Sequence, residues 1–129
     1  MTPDQQTAIE AAAWRTLVGH LQKRTDVQNI DLMIQAGFCR NCLSKWYKAA
    51  ADELQADVDL DTAWEKVYGM TYDEWKKNHQ QPATGEQLAA FKAITPDMVG
   101  EVLELAEVWC EQRLCEDDLS LQQELCGIE

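Results

Sequence analysis

Cys39 and Cys42, three residues apart in Phe38-Cys39-Arg40-Asn41-Cys42, are the side chains with the widest chemical repertoire in this chain. A C-x-x-C pair can supply half of a structural metal site, cycle as a dithiol, or fill space as two small buried groups. Each role has its own requirement. Zinc takes four nitrogen or sulfur ligands, so a single pair needs help from His20, His79 or a late cysteine such as Cys110, Cys115 or Cys126. A site of Cys39, Cys42 and His20 holding zinc or iron is the form this alternative takes. Redox work needs a stabilised thiolate, and Cys39 falls at or just before a helix start, where free amide hydrogens and the helix dipole favour negative charge, with Arg40 and Lys45 adding positive charge. The chain lacks the βαβ pattern that accompanies thioredoxin-like motifs. Two thiols packed beside Trp46 need nothing more; that role is preferred, and it calls for no cofactor.

A second group surrounds the pair. Asp26, Gln28, Asn29 and Asp31 precede the turn, and with Arg40 and Asn41 they could orient a ligand. Residues of these types more often cap helices and satisfy buried backbone groups, which is the preferred role here too. His20 shares a helix face with Leu17 and Leu21 and is expected as a hydrogen-bonded core residue. Glu116-Asp117-Asp118 reads as a solvated turn, no serine, histidine and acid fall into a triad-like spacing, and no glycine-rich phosphate loop is present. Catalysis is therefore not expected.

The elements that position these residues follow from the punctuation of the sequence. Thr2-Pro3-Asp4-Gln5 is an N-cap, a first-turn proline and a capping-box glutamine, and Ile9, Ala13, Trp14, Leu17, Val18 and Leu21 recur at helical spacing behind it. Helices are predicted over 3–23, 26–36 (closed by Gly37), 39–55, 60–68 (closed by Gly69), 72–79, 86–93, 96–115 and 120–126. The third carries an apolar face of Cys39, Cys42, Leu43, Trp46, Ala50 and Leu54, so both thiols belong to a core stripe and Trp46 is expected to be buried against the first helix. No run alternates with the period of two that a half-buried strand shows. The fold class is all-α: a compact bundle of about seven or eight helices with no sheet.

Charge and length narrow the partners. The 129 residues fit one ordinary domain, and no apolar run approaches the roughly 20 residues of a membrane span. Five cysteines is an odd number, so free thiols in a reducing cytoplasm are expected of a soluble protein. Residues 1–85 hold 12 acids and 9 bases, whereas 86–129 hold 11 acids against only Lys92 and Arg113. Such a balance argues against nucleic acid and anionic membrane, both of which are gripped through lysine and arginine clusters. A basic protein partner or plain solubility fits better, and a homo-oligomer is the partner expected of an exposed aromatic patch.

The stretch Arg24-Thr25-Asp26-Val27-Gln28-Asn29-Ile30-Asp31 running into "FCRNCLSKWYKAAADE", with "VYGMTYDEWK" and "EQLAAF" downstream, closely resembles a family of small proteobacterial proteins catalogued as domain of unknown function twelve-forty-four. The likeness covers about residues 14–92. It implies a compact multihelical cytoplasmic protein and supplies no reaction. On it the chain divides into a family-like helical domain, 1–92, and an acidic helical extension, 93–129, packed upon it. The function expected is that of a protein-interaction or regulatory module, with a thiol-redox or metal-binding protein as the alternative.

Overall fold

The computed structural model describes residues 1–94, and these form six helices: α1 Pro3–Lys23, α2 Asn29–Ala36, α3 Arg40–Glu53, α4 Leu60–Tyr68, α5 Tyr72–Asn78 and α6 Gly85–Lys92. No strand occurs among the described residues. The helices expected over 96–115 and 120–126, and nearly all of the acidic extension, lie outside the described residues.

Local chemistry explains where most of these helices begin and end. Thr2 and Thr84 each form a capping box with a glutamine three residues on, and the side chains of Asp59 and Thr71 accept the N–H groups of Thr62 and Glu74. Gly37 closes α2 at φ 76°, a left-handed conformation that costs a glycine little. The start of α2 departs from expectation, since it lies at Asn29 rather than near 26. Residues 24–28 instead make a turn whose carbonyls point at Arg40, so a partner distant in sequence competes with helical hydrogen bonding there.

Packing runs α3 on α4, α2 on α6, α1 on α4 and α4 on α5. One core cluster joins Ile30, Met33, Cys39, Cys42 and Phe91; the other joins Leu21, Leu43 and Val67. Leu32, Phe38 and Trp46 touch both and knit them together. Trp46 is thus half-buried between the clusters, rather than fully enclosed against α1 as expected.

The apolar face of α1 is also narrower than the sequence pattern suggests. Val18 and Leu21 are buried and Trp14 is half-buried, but Ile9 is 57% and Leu17 39% exposed. Among the described residues, only the C-terminal part of α1 buries side chains. At the other end of the bundle α3 behaves in the opposite way. Seven consecutive residues, Cys39 to Lys45, are buried, so this first turn and a half is covered on all sides. Leu54, counted with its apolar stripe, is 81% exposed.

Candidate functional site

The buried start of α3 divides the candidate residues into two groups on opposite faces. On one face lie the thiols. Cys39 is the N-cap of α3 in extended conformation, and its Sγ stands 3.6 Å from that of Cys42; neither forms a disulfide among the described residues. A disulfide needs sulfurs about 2 Å apart, so the pair is in contact but not bonded. Cys42 Sγ is also 4.0 Å from Met33 Sδ, so Cys42 meets both other sulfurs inside the cluster with Ile30 and Phe91. Cys39 and Met33 are wholly buried and Cys42 is 3% exposed.

The other face carries a buried polar network. The Arg40 guanidinium donates to the carbonyls of Arg24 and Val27 at 2.8 Å each, to that of Leu21 at 3.3 Å, and to Asn29 Oδ1 at 3.2 Å. Leu21 and Arg24 end α1, so Arg40 places a cation where the orphan carbonyls and negative dipole end of that helix need one. Its plane lies over Trp75, 5.0 Å from the ring centroid. Burial pushes the Arg40 pKa down from its ordinary value, while Tyr68, Cys39 and Asp26 raise it. The hydrogen bonds of the cation go to carbonyl and amide oxygens, which are neutral dipoles.

From Arg40 the network passes through the protein. Asn29 Nδ2 donates to the Tyr68 hydroxyl at 3.1 Å, that hydroxyl donates to Asn41 Oδ1 at 2.5 Å, and Asn41 Nδ2 donates to the Tyr72 hydroxyl at 3.1 Å. Asn29, Asn41 and Tyr68 are at most 4% exposed, whereas Tyr72 is half-buried. Burial holds the Tyr68 phenol well above its ordinary pKa; Cys39 and Tyr72 add to this, and the Asn29 hydrogen bond and Arg40 offset part of it.

At the Tyr72 end the network reaches solvent. A cleft of about 210 Å³ opens between α4 and α5, lined by Asp61, Trp64, Glu65, Thr71, Tyr72 and Asp73. The Trp64 and Tyr72 rings meet at a centroid distance of 4.8 Å, and Lys76 Nζ rests 4.4 Å from the Tyr72 ring. Three carboxylates around two aromatic faces suit a cation.

The structure brings Arg40, Asn29 and Asn41 together and places Cys39 and Cys42 back to back with them. Asp31 stands apart: one oxygen accepts the Gln28 N–H at 3.1 Å and the other accepts Gln87 Nε2 at 2.9 Å, so it caps α2 and ties α6 to it. Gln28 bridges to the chain after α5 through the His79 carbonyl and the Gln81 N–H. Asp26 is exposed and paired with Arg24. His20 is exposed rather than a core residue, because the side of α1 that carries it is not covered by any described element. It is therefore not a third ligand beside the buried thiols, and no three His, Cys, Asp or Glu side chains among the described residues cluster as a metal site.

Tyr68 and Met33 join these side chains in the structure, although the sequence pattern does not single them out. Tyr68 offered one signal, a tyrosine at the buried end of a short helix, where a hydroxyl must find partners.

No curated protein matches the chain. A family model described as "Protein of unknown function (DUF1244)" matches residues 27–93, beginning after α1 and running to the end of α6. That span holds both thiols, the polar network from Asn29 to Tyr72 and the cleft, and covers just over half of the chain, which therefore belongs to the DUF1244 family.

Proposed function

We propose that this protein is a non-catalytic interaction module that docks a lysine or arginine side chain of a basic protein partner in the α4–α5 cleft. The supporting observation is the cleft itself: Asp61, Glu65 and Asp73 surround Trp64 and Tyr72, and the Lys76 ammonium already rests on the Tyr72 face in the manner a partner's cation would. The polar network behind Tyr72 fixes the ring from below, so less ordering is needed on binding. A net charge of −12 steers a basic partner toward the molecule. Cys39 and Cys42 in contact without a disulfide suit a reducing cytoplasm.

The test is titration of the full-length protein with a short lysine- and arginine-rich peptide, followed by tryptophan fluorescence. Saturable binding that weakens with added salt is expected, with affinity reduced about tenfold or more in Asp61→Asn/Glu65→Gln, since both charges flank the cleft. Unchanged binding in that variant would assign the attraction to other acidic residues and refute the cleft.

A further inference from the structure

The geometry points to a soft monovalent metal site, of the Cu(I) class, formed by Cys39 Sγ, Cys42 Sγ and Met33 Sδ. The three sulfurs sit on two elements: the thiols on the first turn of α3 and the thioether on α2. The thiols stand 3.6 Å apart, and Cys42 Sγ is 4.0 Å from Met33 Sδ. Three sulfurs at about 2.3 Å from one trigonal centre lie about 4 Å from each other, so both spacings match a shared ion after small side-chain adjustments.

The donor set selects the ion. Thiolates with a thioether favour soft Cu(I), whereas zinc prefers four nitrogen or sulfur ligands in a tetrahedron and gains little from a methionine. No histidine or carboxylate among the described residues joins the thiols to complete such a tetrahedron. Binding displaces two thiol protons to solvent and leaves one cuprous ion between two thiolates, a centre of net charge −1 with no change of oxidation state. Arg40 follows Cys39 in sequence, is 1% exposed and lies within electrostatic reach of it. That guanidinium is held by carbonyls and an amide oxygen, with none of the ion pairs of the described residues using it, and it balances the charge that metal loading creates. The surrounding side chains of Ile30, Phe38, Leu88 and Phe91 keep water from a cuprous centre. Because both thiols are buried, uptake proceeds through a local opening and is slow compared with mixing.

The experiment titrates Cu(I) anaerobically into reduced full-length protein carrying Cys110→Ser, Cys115→Ser and Cys126→Ser, against a chromogenic Cu(I) chelator, with X-ray absorption at the copper edge. One ion per chain in an all-sulfur shell of three is expected. Adding Cys39→Ala/Cys42→Ala abolishes it. Met33→Leu, which keeps the core volume and therefore the fold, weakens affinity about tenfold and removes one sulfur from the shell. The assignment is overturned if the chelator strips all copper from the parent, if copper is retained after Cys39→Ala/Cys42→Ala, or if Met33→Leu leaves both affinity and shell unchanged.

Discussion

The Tyr68 hydroxyl donates to Asn41 Oδ1 at 2.5 Å across the α3–α4 interface while accepting from Asn29 Nδ2 on α2. One phenol oxygen thereby joins three helices, and none of the three residues exceeds 4% exposure. Tyr68→Phe leaves an amide oxygen and an amide N–H without their partner in a buried site, and is expected to cost about 1–3 kcal/mol in urea unfolding. A cycle with Asn41→Leu checks the coupling: the double variant should lose less than the sum of the two single ones. Simple additivity would mean that the hydrogen bond carries no stability.

Arg40 binds the carbonyls that close α1, and its donors are spread in a plane that a lysine ammonium cannot reproduce. Arg40→Lys is expected to destabilise by about 1–3 kcal/mol and Arg40→Met by more, about 3–5, since buried carbonyls lose their donors. Hydrogen exchange should quicken at residues 24–28 first. A variant with unaltered exchange there would show that the turn holds itself.

Stability should fall in strong alkali through Tyr68. Its folded pKa is raised above the ordinary value of 10.0, so the folded state holds the proton that the unfolded chain releases. The contribution is complete below pH 10 and is lost as pH rises from there toward the folded pKa, by up to about 1.4 kcal/mol per pH unit. Tyrosinate absorbance assignable to Tyr68, by difference from Tyr68→Phe, should appear only as the helical circular dichroism is lost. Its appearance in still-folded protein would contradict the burial.

The two thiols should be slow rather than fast. Both are buried, so alkylation of Cys39 and Cys42 in reduced, metal-free protein is expected to lag well behind an unstructured thiol and to accelerate with sub-denaturing urea. Cys39→Ala/Cys42→Ala is expected to cost about 1–3 kcal/mol from lost packing. Alkylation of Cys39 faster than a free thiol would reinstate the redox role.

Trp46 joins the two core clusters while remaining half-buried, and its Nε1 lies buried without a partner among the described residues. Trp46→Ala is expected to cost about 2–3 kcal/mol, below a fully enclosed tryptophan, and Trp46→Phe less than about 1 kcal/mol because it discards an unpaired donor. Thermal unfolding of both variants measures the difference.

The helices were legible because their signals are local. A threonine hydroxyl reaches an amide three residues away, and Gly37 takes a left-handed turn at no steric cost, so caps, stops and the all-helical class are written within a few residues of where they act. The same locality made Cys39 and Cys42 readable as one side of a helix start. Periodicity, however, records only which face is apolar. It could not show that Arg40, Asn41, Ser44 and Lys45, polar residues on the rest of that turn, are buried as well. That was decided by α1, α2 and α4 closing around the start of α3, where the side chains of Arg40 and Asn41 found partners distant in sequence: Val27 and Leu21 for Arg40, and Tyr68 for Asn41 as for Asn29. Nor could it show that Ile9, Leu17 and His20 remain exposed, because a helical face is buried only where another element arrives to cover it. The sequence thus determined the helices and the thiol spacing, while tertiary packing alone decided that Met33 meets Cys42 and that Tyr68 links Asn29 to Asn41, since hydrogen bonds and sulfur contacts depend on distances in space that chain spacing does not encode.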